Sequence, residues 1–306
     1  MKNSILLLGS TGLVGEAMYR MSGEKLIRLP KNILTTNDSE GFKQIIKEND
    51  ISTVVNCAAH VRGIEENKNT PHEMYEKNAK INSFVIDNII QNSVENYILF
   101  GSNCMYSRDV EQPYSEDVLM QFNPAPTNYG FAGAKFASYY QAKSASMQYK
   151  FKLFFPIPCS LYGRNDNYKY SQSHVVAAVV RKLCDAKLLN ETSITFWGSG
   201  NAKREIMHAD NILSAINKML ECDLYNHPIN IGSGEEMSIR ELVNEVSGII
   251  GYKGKIYWDS EKPDGAPRKI LDSSTIRQTG WEPKIRFQTG LKATVSDYLE
   301  QKCQRL

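Results

Sequence analysis

Apolar runs of strand length alternate with longer stretches of helical period along the first half of the chain, the signature of a parallel sheet joined by crossover helices. Ile5 to Leu8, Leu26 to Leu29, Thr53 to Asn56 and Tyr97 to Phe100 read as buried strands, and Lys152 to Phe155 continues the sheet. Pro71 to Val94 and Tyr129 to Tyr149 read as long helices between them. After Gly163 the pattern loosens into a helix from His174 to Ala186, a short strand from Ser193 to Phe196, and turns rich in Gly, Pro and Asp. The expected fold class is α/β, a Rossmann-type doubly wound parallel sheet with a smaller, mixed α/β C-terminal region. No repeat, low-complexity tract or linker composition separates the two parts, so they are expected to pack as one body. The expected division assigns residues 1–165, with a returning segment near 204–232, to the first part, and 166–203 with 233–306 to the second.

The first predicted strand runs into Gly9-Ser10-Thr11-Gly12-Leu13-Val14-Gly15, which opens a helix. Strand, glycine-rich turn and helix in that order hold a dinucleotide: small residues let the backbone approach the diphosphate, whose charge sits at the helix N-terminus. The plainer alternative is a tight turn between two elements. At the end of the second strand an acid would grip a ribose 2′-hydroxyl, whereas a cation favours a 2′-phosphate. Ile27-Arg28-Leu29-Pro30-Lys31-Asn32 offers Arg28 and Lys31 and no acid, so NADP(H) is the expected cofactor. The alternative, that both are solvated surface charges, stays open.

Composition narrows the setting. A formal charge of +2 from 36 basic and 34 acidic residues gives no reason to expect a nucleic-acid partner. No run approaches the roughly 20 apolar residues that span a bilayer, so no membrane association and a cytoplasmic location are expected. Cys57, Cys104, Cys159, Cys184, Cys222 and Cys303 are scattered without metal-ligand spacing. They are expected to be reduced and mostly buried, with no metal site.

The glycine turn, Asn56-Cys57-Ala58-Ala59 after the third strand and Gly101-Ser102 after the fourth resemble the extended short-chain dehydrogenases/reductases. Gly101-Ser102-Asn103-Cys104-Met105-Tyr106, Pro158-Cys159-Ser160-Leu161-Tyr162-Gly163, Trp197-Gly198-Ser199-Gly200 with Arg204-Glu205, and Lys262-Pro263-Asp264-Gly265 with Pro267-Arg268-Lys269 narrow the likeness. In these segments, over nearly its whole length, the chain resembles the GDP-L-fucose synthase family. The resemblance implies a GDP-linked 4-keto-6-deoxy sugar as substrate, epimerised at C3 and C5 and reduced at C4 with NADPH, in sugar-nucleotide supply of the capsule or lipopolysaccharide type. It places Ala58, Ala59, Gly101, Lys135, Pro158, Ser160, Leu161 and His174 around the cofactor together with the glycine turn and Lys31. It also implies a homodimer formed through the two long helices.

For reduction the family uses a Ser, a Tyr and a Lys, the last two four residues apart on one helical face. Ser102 and Lys135 are in place, but Phe131 stands where the Tyr belongs. Tyr129 is no substitute: six residues before Lys135 it points about 240° away at ~100° per residue. Either Phe131 is an isosteric Tyr-to-Phe substitution that impairs reduction, or the natural chain has given up or rerouted that step. The intact helix, Ser102 and Lys135 favour the first. For epimerisation, Cys104 and His174 match the family's proton-transfer pair, and neither depends on the missing phenol. Lys182, Trp197, Arg204, Asp264 and Lys269 match positions that hold the nucleotide.

Each residue has a plainer reading alone: Ser102 as a turn former, Cys104 as a small apolar residue, Trp197 as a core anchor, Lys182 as a solvated helix charge. Ser160 and Arg164 stand where an Asn and a Pro are usual in the family, which leaves the sugar, hexose or heptose, open. The competing functional readings are an epimerase without net redox and a non-catalytic GDP-sugar binding protein.

Overall fold

A computed structural model describes residues 4–170, 172–262 and 264–303; the side chain of Cys303 lies outside the described residues. The chain runs β1 (Ser4–Leu8), α1 (Leu13–Met21), β2 (Ile27–Arg28), α2 (Lys31–Thr36), α3 (Ser39–Glu48), β3 (Ile51–Asn56), α4 (Ile64–Asn69), α5 (Pro71–Gln91) and β4 (Asn96–Leu99). It continues with α6 (Tyr129–Tyr149), β5 (Lys152–Pro158), β6 (Ser160–Tyr162), α7 (Val175–Leu188), β7 (Ser193–Trp197), β8 (Lys203–His208), α8 (Ile212–Glu221) and β9 (Pro228–Ile231). The last elements are β10 (Glu236–Ser238), α9 (Ile239–Ile250), β11 (Lys255–Asp259), α10 (Ser274–Arg277) and α11 (Phe287–Cys303).

The main sheet has the order β2-β1-β3-β4-β5-β9 with every pair parallel. Its strands are apolar on both faces because helices cover both: Leu6, Leu7, Leu8, Val54, Ile98 and Phe155 are all but inaccessible to solvent. The chain leaves β1 toward β2 on one side and returns to β3 on the other. The crevice at the carboxyl ends of β1 and β3 is therefore the switch point where ligands of open α/β sheets bind. Two smaller sheets, β10-β8-β6 and β11-β7, build the C-terminal part. Its apolar interior comes from α7, α9, α11 and β7, with Leu183, Val243, Leu291 and Phe196 at the centre.

Helix α6 occupies the expected span, and α5 begins at the expected Pro71, whose missing N–H costs nothing in a first turn, but ends at Gln91 rather than Val94. His174 caps α7 from outside, and that helix extends to Leu188. Strand β5 runs three residues past the expected Phe155, through Pro156. Its ladder with β4 stops at Ile98 and Phe154, so the proline's missing donor interrupts no pair on that side, and its carbonyl still accepts from Gly101 N at 2.9 Å. The expectation of mostly buried cysteines is corrected: Cys159 and Cys184 are buried, Cys57 and Cys104 are partly accessible and Cys222 is exposed. Cys104 and Cys57 are only partly covered because they follow the carboxyl ends of β4 and β3, where the sheet opens on the crevice, though the Cys57 thiol itself is desolvated. No helix among the described residues is long and apolar enough to cross a membrane.

The loop after β6 ties the C-terminal part to the first strand's turn. Asn165, with a left-handed φ of 61°, donates from Nδ2 to Thr11 O at 2.9 Å, and its N–H reaches Asp297 Oδ2 of α11 at 3.1 Å. Next to it, Asp166 is buried with Oδ1 held by Asn167 N at 2.7 Å and Oδ2 without a partner. Burial pushes its carboxyl from 3.8 up to about 7, against that one hydrogen bond. Between those values the folded chain keeps a proton that the unfolded chain has released, so stability falls as pH rises from about 4 to 7, by a ceiling of about 4 kcal/mol. Asp166→Asn is expected to flatten that slope in urea unfolding measured across this range; an unchanged slope would show that Asp166 ionises normally.

Candidate active site

The glycine turn is shaped by backbone proximity. Gly9 has φ +69°, and a Cβ on it would lie 2.5 Å from Ala58 N, where β1 and β3 diverge. A Cβ on Gly15 would lie 2.3 Å from Gly9 O. Gly12 differs: its Cβ would meet nothing nearer than Gly9 O at 3.6 Å, so the protein itself does not require glycine there. Gly12 caps α1 without a side chain, and the unpaired N–H groups of that first turn, from Leu13, Val14 and Gly15, are the donors a diphosphate needs. The open space at Gly12 and the tight fit at Gly9 and Gly15 suit a dinucleotide.

A cleft of about 410 Å³ lies beside this turn, lined by Ser10, Thr11, Arg20, Arg28, Arg164 and Asn165 together with Glu16 and Asp297. Arg20 is committed to Asp210 (Nη1–Oδ2 3.1 Å) and Glu16 (3.2 Å). Arg28 lays its guanidinium 4.3 Å over the Tyr19 ring, and Arg164 pairs with Asp297 at 3.8 Å. Of the two expected phosphate cations, Lys31 opens α2 on an exposed surface and is not part of this lining. Arg28 rather than Lys31 thus faces the cleft. Arg164 and Asn165 were not singled out for this site from sequence. The replacement of a usual proline at 164 was the one available signal, and it carried no position in space.

At the carboxyl end of β3, Asn56 turns the chain into the site. Its Oδ1 accepts from Ala58 N at 3.0 Å, while Nδ2 donates to Asn82 Oδ1 (3.2 Å) and Tyr97 OH (3.1 Å). Asn82 in turn donates to Ser138 Oγ at 2.7 Å, so a buried polar chain joins β3 to α5 and α6. Ala59 follows on the same loop, half-buried. Gly101 is fixed to Pro156 O, Pro158 closes β5, and Ser160 and Leu161 lie half-buried in β6 along the same edge.

Lys135 is buried on α6 with its ammonium donating to Phe100 O at 2.8 Å, which sets it at the carboxyl end of β4. Desolvation lowers its pKa to about 8, opposed by Cys57 nearby, whose own thiol burial pushes up to about 12. Phe131 lies one turn before, its ring centroid 5.9 Å from Nζ, so a phenyl ring lies beside the ammonium. Tyr129 is 61% exposed and turned toward Phe122, in keeping with its opposite helical direction. Ser102 sits past β4 with Oγ accepting from Cys104 N at 3.3 Å.

Cys104 faces the C-terminal part: Lys269 Nζ approaches its Sγ at 3.8 Å. Arg204, on β8, is largely desolvated, which lowers its pKa, and donates to Ala266 O at 2.6 Å. Asp264 accepts from Ser199 N (2.9 Å) and Oγ (2.6 Å), which closes the Gly198–Ser199 turn just after Trp197. Trp197 is 64% exposed and so is no core anchor. Lys182 reaches the carbonyl of Thr195 with its ammonium 4.9 Å over the Phe196 ring, one strand position from Trp197. His174, outside the first turn of α7, keeps solvent contact while the protein around it lowers its pKa by desolvation. Glu205 was not singled out either: buried beside Arg204, it accepts from Gly234 N (2.8 Å) and Leu271 N (2.9 Å) and anchors the strand pair that presents Arg204.

A doubly wound sheet with a glycine turn at its switch point, a Ser past its fourth strand and a buried Lys on the following helix defines a dinucleotide-binding enzyme of the short-chain reductase and epimerase class. The chain belongs to the NAD-dependent epimerase/dehydratase family, whose profile matches residues 5–232, and within it to the GDP-L-fucose synthases. The GDP-L-fucose synthase of Escherichia coli K12 is 33% identical over 98% of this chain and 97% of its own length. Among solved structures, a GDP-6-OMe-4-keto-L-xylo-heptose reductase from C. jejuni superposes with a TM-score of 0.88 at 26% identity, covering 98% of this chain and 99% of that one. The GDP-mannoheptose C4 reductase MlghC from Campylobacter jejuni, solved with NADP bound, gives 0.83 at 26% identity over 98% and 99% of the two chains.

Proposed function

We propose that the chain binds NADP(H) and a GDP-linked 4-keto-6-deoxy sugar, hexose or heptose, and moves protons at C3 and C5, with reduction at C4 curtailed by Phe131. The observation that carries this reading is the meeting of two parts of the chain over one crevice. Ser102 and Cys104 stand past β4, Lys269 faces them from the C-terminal part, and Arg204 comes in on β8 at the start of the returning segment. The sequence division already given, 1–165 with 204–232 against 166–203 with 233–306, puts the dinucleotide on one side of that crevice and the nucleotide sugar on the other.

The amides after Gly12 would hold the diphosphate, Arg28 and Arg164 the adenosine end, and Lys135 the nicotinamide ribose. Bound NADPH supplies a hydride. Ser102 Oγ would donate to the ketone oxygen at C4, which also acidifies the neighbouring C–H groups by drawing charge onto that oxygen. Cys104 and His174 would take and return the protons on opposite faces. Trp197 offers an exposed face to stack on guanine, with Asp264, Lys182 and Arg204 around it. Exposed Tyr75 on α5 and Tyr140, Met147 and Tyr149 on α6 support a homodimer through those helices.

Phe131 favours a second reading, epimerisation without net redox, since that step needs no phenol. Both readings predict solvent deuterium at C3 or C5 of a GDP-4-keto-6-deoxy sugar incubated with the chain and NADPH in D₂O. Little NADPH is expected to be oxidised. Absence of exchange with hexose and heptose substrates alike, in protein that binds them, would leave only the non-catalytic binding protein.

A further inference from the structure

Lys269 matches a nucleotide-holding position by family resemblance, yet its ammonium lies on the sulfur of Cys104, 165 residues earlier in the chain. We infer that Lys269 is the positioning residue of the proton-transfer cysteine: it aims the Cys104 sulfur and supplies the counter-charge for its anionic form. The backbone leaves Lys269 little choice. Its N–H donates to Lys203 O at 3.2 Å and its carbonyl accepts from Glu205 N at 3.0 Å, which adds it as a rung beside β8. The next residue is pinned as well, Ile270 N to Gln112 Oε1 at 3.0 Å and Tyr114 N to Ile270 O at 3.0 Å. From that fixed base the side chain reaches the 3₁₀ turn Asn103–Met105 that carries Cys104.

The groups facing the sulfur from each packed element are few. Asn103 Oδ1 is 3.6 Å away on the same turn, Tyr114 comes from the following loop, and Arg204 from β8. The Arg204 guanidinium already donates to the carbonyls of Lys203 (2.7 Å) and Ala266 (2.6 Å). The Asp264 carboxylate is taken up by Ser199. Among the described residues no carboxylate lies within ion-pair distance of Lys269, so its charge is free to serve the sulfur. In the step itself the thiolate takes a proton from the carbon next to the ketone: an S–H bond forms, the C–H bond breaks, and its electron pair moves into the enolate at the C4 oxygen. Lys269 keeps its proton throughout. A cation 3.8 Å from the sulfur stabilises the starting anion and holds it in one rotamer.

The kinetic arm of the test rests on the epimerase reading; the chemical arm needs no substrate. Iodoacetamide alkylation of Cys104, followed on its own peptide at fixed neutral pH, is expected to slow about 10-fold in Lys269→Met and to recover in Lys269→Arg, a change worth about 1.4 kcal/mol. Deuterium exchange into a GDP-4-keto-6-deoxy sugar is expected to lose at least as much in kcat with KM for the sugar nucleotide unchanged. Slower alkylation with no exchange in either the parent chain or the variant would uphold the Lys269–Cys104 pairing and count against the epimerase reading. Unchanged alkylation, or a raised KM with kcat preserved, would make Lys269 a nucleotide contact and overturn the inference. Circular dichroism of the Met variant, with the Arg variant beside it, separates this from misfolding.

Discussion

Phe131→Tyr is expected to raise NADPH oxidation on a GDP-linked 4-keto-6-deoxy sugar by about 10²- to 10⁴-fold, the usual worth of a placed general acid. On the proposed reading, that hydroxyl is what the Ser102, Phe131 and Lys135 set lacks. Lys135 is buried with no carboxylate partner among the described residues, its charge resting on Phe100 O, 5.9 Å from the Phe131 ring centre. An ammonium so placed would lower a phenol's pKa and make its neutral O–H a readier proton donor. The Phe131 ring is only partly buried, so the added oxygen is expected to be accommodated without displacing a core atom. The gain should fall on kcat, read as loss of absorbance at the NADPH band, with KM for the sugar nucleotide little changed. No gain with hexose and heptose substrates would mean that Lys135 serves something other than a reductase.

The second large effect concerns the dinucleotide turn. Gly15→Ala would bring a Cβ to 2.3 Å from Gly9 O and 2.8 Å from both Gly9 C and Ser10 Cα. These are backbone atoms at the end of β1 and cannot swing aside. Relief requires opening the turn, at about 1–3 kcal/mol for an overpacked site, together with loss of the amide array that faces the diphosphate. NADPH affinity is expected to fall by at least about 100-fold, near 2.7 kcal/mol, with a lower melting temperature. Gly12→Ala supplies the contrast. Its Cβ meets no protein atom closer than 3.6 Å, so the fold should keep its melting temperature while NADPH binding weakens through contact with the ligand alone. Fluorescence titration with NADPH and thermal unfolding of both variants decide the matter; equal behaviour would show that the ligand does not lie over Gly12.

These contrasts mark how far the amino-acid pattern could be read. The span of α6 was legible to the residue, and so was the Pro71 start of α5, because both are long elements with a proline or a polar loop at the boundary. Strand β5 was cut short at Phe155 because prolines at 156 and 158 argue against an interior strand, and only the end of the β4 ladder makes them harmless. Strand β9, Pro228–Ile231, is four residues with an asparagine inside; its full burial follows from the sheet edge it covers, which no local period reveals. Among candidate site residues, those on one continuous turn or helix could be proposed from the sequence, the glycines from their spacing, and Ser102, Cys104 and Lys135 with Phe131 from the family resemblance. Arg164 at the cleft and Lys269 on Cys104 depend on contacts between distant segments, and a chemical type at a sequence position does not reveal which neighbour it meets.

The hydrogen bond from Asn165 to Thr11 joins residues 154 positions apart, and Asp297 of α11 reaches the same cleft. The Gly9–Gly15 turn is made early by the chain, but the wall opposite it belongs to segments synthesised much later. A nascent chain that has completed the first four strands therefore presents the diphosphate cradle without its second side. That cleft is whole only once α11 has brought Asp297 to it, so its completion is a sign that the end of the chain has docked on the beginning.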